Sequence, residues 1–170
     1  MICFTKSECD TIINYSNTLD KNIRDGENAD VSRPNKNISY VYYHIKRNEE
    51  TQWIFDRINL FLKENDNIIV KKDLDTLHMH HYSKGDVFVK HRDIYYDGQR
   101  WNIGVCLNDD YDGGEFILYQ PTEIIPKKAG TIYSFKNTRE HEVLEIKSGE
   151  RWSIIGFFFN EHIETNKNIF

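Results

Sequence analysis

The spacing of apolar residues changes along this chain, and each change marks an element. In the opening run Phe4-Thr5-Lys6-Ser7-Glu8-Cys9-Asp10 a Thr or Ser stands at a cap position, Glu8 follows Thr5 by three, and Ile12, Ile13 and Tyr15 form a partial apolar face. That pattern predicts a short helix over about residues 6 to 17. Residues 20 to 37 are polar, include Gly26 and Pro34 and hold no periodicity, so they read as a loop. The run Ile38-Ser39-Tyr40-Val41-Tyr42-Tyr43-His44-Ile45 is rich in β-branched and aromatic residues and reads as a strand. Between Glu49 and Glu64, Trp53, Ile54, Ile58, Phe61 and Leu62 recur at helical spacing with acidic residues early, which predicts the main amphipathic helix.

From about residue 67 the pattern shortens to β-like runs divided by Gly, Asp and Lys turns. These runs are Thr76 to Ser83, Val87 to Arg92, Arg100 to Leu107, Glu115 to Tyr119, Glu123 to Pro126, Thr131 to Phe135, His141 to Ile146 and Arg151 to Phe159. Eight strands after two helices predict an α+β, mainly β domain, a barrel or two-sheet jelly roll with helices against one face.

Composition narrows the class. At 170 residues, 39% hydrophobic and 29% charged, the chain suffices for one domain with its own core and needs no disulfide or structural metal. The formal charge is −5 and the basic residues are scattered, so the basic stripe of a nucleic-acid binder is missing and no nucleic-acid partner is expected. Cys3, Cys9 and Cys106 are odd in number and lack CxxC spacing, which points to free thiols and a cytoplasmic setting. The sequence has neither a signal-peptide pattern nor an apolar run long enough to span a bilayer, so no membrane association is expected.

Candidate chemistry lies in the β-rich part. His91 and Asp93 are two apart, so in an extended segment they share a face and can bind one ion. His141 opens another run, and a barrel can bring its start beside the end of the His91 strand. Two neutral imidazoles and one carboxylate occupy one face of an octahedron and leave the others open, as in non-haem Fe(II) oxygenases. The same donor types also hold catalytic zinc, although no general-base Glu motif adjoins this HxD. Arg151 and Ser153 alternate onto one face ten residues beyond His141, where they can hold the far carboxylate of a diacid.

The runs Tyr82-Ser83-Lys84-Gly85-Asp86-Val87-Phe88-Val89-Lys90-His91-Arg92-Asp93, Leu107-Asn108-Asp109-Asp110-Tyr111-Asp112-Gly113-Gly114-Glu115-Phe116, Lys128-Ala129-Gly130-Thr131 and His141-Glu142-Val143 through Gly149-Glu150-Arg151 occur in this order. Together they resemble the prolyl 4-hydroxylase branch of the Fe(II)- and 2-oxoglutarate-dependent dioxygenases over about residues 77 to 160. The resemblance implies a double-stranded β-helix (a cupin-like jelly roll), with residues 1–66 as helical support and substrate-side segment and 67–170 as catalytic core. It implies His91, Asp93 and His141 as catalytic iron ligands, Arg151 as the partner of the 5-carboxylate of 2-oxoglutarate, and Tyr82 as a further cosubstrate contact beside Ser153. It also implies O2 as co-reactant and allows ascorbate.

The reaction so implied hydroxylates a C–H bond and yields succinate and carbon dioxide. A prolyl residue in a peptide or protein is the expected substrate, with a free amino acid such as proline as the alternative and a non-catalytic jelly-roll module as a reading of another class. Two departures stand out: collagen-type members carry Lys where this chain has Arg151, and some relatives have a cosubstrate-binding Tyr near Cys106. The DNA-repair members carry a second Arg six positions on, where this chain has Phe157.

Other conspicuous residues have plainer readings. His78, His80 and Tyr82 share a strand face opposite His81 and are expected in packing or substrate contact rather than iron ligation. Asp109, Asp110, Asp112 and Glu115 lack the order of a calcium loop and read as a solvated turn bent by Gly113 and Gly114. Tyr95, Tyr96 and Trp101 follow Asp93 in a segment that could cover substrate, Trp152 and Ile154 should pack away from the site, and Phe157-Phe158-Phe159 should close the core.

Overall fold

The computed structural model describes residues 1–24, 38–65, 76–93 and 100–159. Helix α1 (Lys6–Tyr15) starts on the anticipated capping box: Glu8 N–H donates to Thr5 Oγ1 and the Glu8 carboxylate accepts from Thr5 N–H. It stops earlier than expected, running into a 3-10 turn at Ser16–Thr18. Helix α2 (Gln52–Asn65) buries Ile54, Phe55, Ile58 and Leu62 on one face. Arg57 braces the two helices, donating to Glu8 Oε1 at 2.9 Å and to the Cys3 carbonyl at 3.0 Å.

The strands are β1 (Asn22–Arg24), β2 (Ile38–Lys46), β3 (Thr76–Tyr82), β4 (Val87–His91), β5 (Arg100–Cys106), β6 (Asp112–Gly113), β7 (Phe116–Leu118), β8 (Glu123–Ile124), β9 (Ile132–Lys136), β10 (His141–Val143), β11 (Ile146–Ser148) and β12 (Arg151–Phe159). One sheet runs β2-β3-β12-β5-β9, with β1 also paired to β2, and the other runs β4-β10-β7-β8. Strand β2 joins them, because Val41 to Lys46 pair with β3 while Ile38 and Ser39 pair with β4. A separate β11-β6 pair completes the jelly roll.

Alternation along the large sheet divides the core in two. Leu77 and Met79 of β3, Ile103 and Val105 of β5 and Ile154 of β12 face the helices and pack with Phe4, Ile12, Phe55 and Ile58. The opposite faces present Tyr82, Cys106 and Tyr133 to the second sheet, where they pack with Phe88, Phe116 and Val143. Burying each large apolar side chain contributes about 1.5–3 kcal/mol, so the helices anchor one face of the large sheet in a dense layer and leave its other face for chemistry. Trp152 stacks on His81 with centroids 3.9 Å apart and, like Ile154, lies on the helix side. Phe158 is in the same core.

Several boundaries differ from the sequence expectation. The run His141 to Ile146 is two strands: β10 pairs with β4 and β7, and the chain then changes partner so that β11 pairs with β6. Short β6 lies inside the acidic turn, and β8 is only two residues long. The expected loop from residue 20 contains β1, whose Asn22 pairs with Tyr42; the rest of it, residues 25–37, lies outside the described residues, as do Tyr95 and Tyr96.

Candidate active site

Strand β4 ends on His91, whose Cα register partner is His141 at the start of β10. Pairing of the two strands therefore sets both imidazoles side by side, with ring centroids 4.2 Å apart. Asp93 lies just past β4 rather than within it, and its N–H donates to the Asn137 carbonyl at 3.1 Å. Asp93 Oδ1 is 3.5 Å from His91 Nε2, and Asp93 Oδ2 is 3.4 Å from His141 Nε2. One ligand atom from each of the three side chains lies within 4.8 Å of the others.

The hydrogen bonds behind this cluster aim it. His91 Nδ1 is 2.8 Å from the Val89 carbonyl, and His141 Nδ1 is 3.0 Å from the Arg139 carbonyl. A carbonyl only accepts, so each Nδ1 carries the proton and each Nε2 presents its lone pair to the shared centre. Asn102 Nδ2 donates to Asp93 Oδ2 at 2.7 Å and fixes the carboxylate. Burial pushes the His91 pKa down, which favours the neutral, ligating form. Burial alone would raise that of Asp93, but His141 and His91 beside it, in their protonated form, hold its carboxyl far below the usual range. Phe88 stacks on His91 with centroids 3.9 Å apart, and Phe135 and Phe116 flank His141.

This donor set fits Fe(II). His91 Nε2 is buried without a hydrogen-bond partner, an arrangement that costs energy unless an electrophile takes the lone pair. Among the described residues, His78, His80 and His81 do not belong to the cluster. His80 packs against Tyr40 at 4.6 Å, and His78 lies 4.8 Å from His44, ring centroid to ring centroid. The acidic turn is held by its own bonds: Asp109 accepts from Ala129 N–H, Asp110 from Asn108, and Glu115 pairs with Lys127.

Across the interior, Arg151 opens β12 with only 1% of its surface exposed. Its register partner is Tyr82, and its guanidinium carbon lies 5.3 Å from the centre of the Tyr82 ring. Arg151 Nη1 donates to Ser153 Oγ at 2.8 Å, so the alternation expected for this pair is present. Among the described residues no carboxylate pairs with Arg151; its electrostatic neighbours are Tyr111, Tyr133, Tyr82 and Cys106. Arg151 Nε is buried without a hydrogen-bond partner. A buried cation faced by neutral groups is costly until an anion arrives.

Four residues at or beside these two clusters were not singled out by sequence reasoning: Asn102, Asn137, Tyr111 and Tyr133. Asn102 gives a faint signal, being polar on the face of β5 that also carries Gly104 and Cys106. The tyrosines give none, since an aromatic residue in a strand is ordinary core material.

The profile of the 2OG-Fe(II) oxygenase superfamily matches residues 77–159. A comparison with curated protein sequences finds no significant match. Among solved structures, a Pseudomonas putida prolyl-4-hydroxylase is similar at 17% identity and TM-score 0.66, covering 95% of this chain and 91% of that one. A viral collagen prolyl hydroxylase from Paramecium Bursaria Chlorella virus-1, in a 2OG complex, is 17% identical with TM-score 0.61, covering 94% and 93%. A Trichoplax adhaerens prolyl hydroxylase, in complex with a hypoxia inducible factor oxygen degradation domain peptide fragment, is 14% identical with TM-score 0.60, covering 96% and 94%. None of these comparisons supports the non-catalytic alternative. No helix among the described residues is long and apolar enough to cross a membrane. The iron-type triad lies within the stretch, residues 77–159, that matches the 2OG-Fe(II) oxygenase superfamily, and the jelly roll that builds it agrees with that match.

Proposed function

We propose that this oxygenase hydroxylates a prolyl residue in a peptide or protein. In that reaction 2-oxoglutarate, O2 and the substrate C–H bond give succinate, carbon dioxide and the alcohol. One observation carries the cosubstrate half of this reading: a guanidinium at 1% exposure, without a carboxylate partner among the described residues, lies among Tyr82, Tyr111 and Tyr133 of the same aromatic cluster whose Phe88 and Phe116 flank the triad. The prolyl substrate draws its support from the likeness in fold to prolyl hydroxylases, one of them in complex with a peptide.

His91, Asp93 and His141 would hold Fe(II), which when bound supplies the centre where cosubstrate and O2 react. The chain's own groups do the rest. Val89 and Arg139 carbonyls keep both imidazoles in the ligating tautomer, and Asn102 keeps Asp93 oriented. Arg151 neutralises the far carboxylate of 2-oxoglutarate, while Ser153 fixes one arm of the guanidinium and Tyr82 walls its flank. Phe88, Phe116 and Phe135 exclude water around the imidazoles, which keeps the oxidising chemistry on the substrate.

The test is an anaerobic titration with Fe(II) and 2-oxoglutarate followed by O2, reading succinate with and without a library of proline-containing peptides. Succinate that rises with one peptide, together with one added oxygen on its proline, is the expected result. Slow, peptide-independent succinate would overturn the peptide substrate and favour a free amino acid such as proline. Failure to bind 2-oxoglutarate would overturn the whole proposal.

A further inference from the structure

Tyr133 sits on β9, two strands away from Arg151, with β5 between them. A side chain at that distance ordinarily packs over its own neighbours. Here its register partner is Gly104, and the missing side chain makes a passage. A Cβ at Gly104 would lie 2.2 Å from Tyr133 Cζ and 2.4 Å from its hydroxyl, so the phenol lies directly across β5 and occupies the glycine's empty space. The next residue on that face of β5 is Cys106, and its partner on β12 is Ser153, both short. Gly104, Cys106 and Ser153 thus form a low trough with the Tyr133 hydroxyl at one side and the Arg151 guanidinium as its electrostatic neighbour at the other.

Each side keeps one polar atom unmet, although Arg151 Nη1 is bonded to Ser153 and the guanidinium lies close enough to the phenol to interact with it. The Tyr133 hydroxyl and Arg151 Nε are buried and make no hydrogen bond. A neutral donor and a cationic donor left unmet over one trough call for an acceptor with negative charge and more than one oxygen. Resting on the reading of Arg151 given above, we infer that the Tyr133 hydroxyl donates a hydrogen bond to the distal carboxylate of 2-oxoglutarate, reaching it through the gap at Gly104. One carboxylate oxygen then belongs to Arg151 and the other to Tyr133. Burial drives the Tyr133 pKa upward, which favours the neutral, donating phenol. Gly104 serves as the residue that admits the ring.

Tyr133→Phe removes the hydroxyl and keeps the ring, so the fold should survive. With Mn(II) in the metal site, 2-oxoglutarate affinity measured by calorimetry should fall about tenfold, the range for a hydrogen bond to a charged group, while Mn(II) affinity stays unchanged. 2-Oxobutyrate, which lacks the distal carboxylate, should bind both proteins equally in competition. Gly104→Ala, which pushes the ring out of the trough, should lower 2-oxoglutarate affinity in the same direction. Affinity within twofold of the parent in Tyr133→Phe, beside a large loss in Arg151→Ala, would overturn this inference alone. An equal loss for both ligands would also overturn it, because that is loosening of the pocket rather than a carboxylate contact. An unchanged affinity in Arg151→Ala would instead overturn the anion clamp on which the inference rests.

Discussion

Asn102 Nδ2 lies 2.7 Å from Asp93 Oδ2, joining the middle of the helix-backed sheet to the one carboxylate of the metal cluster. Asp93 lies past the end of β4, where no ladder restrains its side chain, so this bond sets its orientation. Asn102→Ala should lower Fe(II) affinity about 10- to 100-fold, the usual effect of losing an outer partner of a metal ligand. Anaerobic competition with a chelator reads this directly, and an unchanged constant would remove Asn102 from the site.

Asp93→Ala should go further and abolish both stoichiometric iron and succinate formation, since it removes the only anionic ligand of the cluster. Metal analysis of the purified variant alongside succinate release checks the two together. Full activity with normal iron would end the assignment of this carboxylate.

Arg151→Ala should separate cosubstrate from metal. Truncating one partner of a buried charge pair costs about 2–5 kcal/mol, so 2-oxoglutarate affinity should drop at least about thirtyfold while Fe(II) affinity stays near that of the parent. Parallel titrations with metal and with 2-oxoglutarate give both numbers.

Gly130→Ala should damage stability rather than chemistry. Gly130 has φ +82° and a Cβ there would lie 1.9 Å from the Phe4 carbonyl oxygen. Its carbonyl accepts from Cys3 N–H, and its N–H donates to the Cys106 carbonyl. Left-handed strain and a backbone clash together should cost upwards of about 2 kcal/mol. Chemical denaturation checks it, and a midpoint equal to the parent's would refute the clash.

Stability should fall with acid through His78. Burial first, and then the nearby His44, lower its pKa from 6.5 to about 4. The folded value lies below the unfolded one, so on acidification the unfolded chain takes up the proton first. The contribution is intact above 6.5 and is lost as pH falls towards about 4. At ~1.36 kcal/mol per unit the ceiling is about 3 kcal/mol. His91 and His81 shift in the same direction, so the discriminating measurement is urea unfolding of the metal-free protein and His78→Phe at neutral and mildly acid pH. The variant should lose less stability on acidification; equal losses would clear His78 of the effect.

Strong alternation made some of this architecture legible before any coordinates. The run from Arg151 to Phe159 matches β12 end to end, because polar and apolar positions alternate from Arg151 to Ile154 and β-branched and aromatic residues carry the run on to Phe159. By contrast, His141 to Ile146 looks like one strand although the chain changes partners at exposed Leu144 and Glu145; the change comes from which neighbours the fold brings up, and no local residue announces it. The triad was readable because HxD is a local pattern and His141 opens the facing strand. Asn102 and Tyr133 were not, since each reaches its place by cross-strand register, in a chain where 10 tyrosines offer no reason to choose one.

The double membership of β2 gives the two clusters of the site a common beam. Its first residues carry β4 and hence His91, while its later ones carry β3 and hence Tyr82 beside Arg151. A backbone disturbance near Tyr40, far from any proposed ligand atom in the sequence, would change the gap between the metal wall and the anion wall. Such damage would be recognised by its symmetry: iron and 2-oxoglutarate would loosen together, where lesions in either wall loosen one.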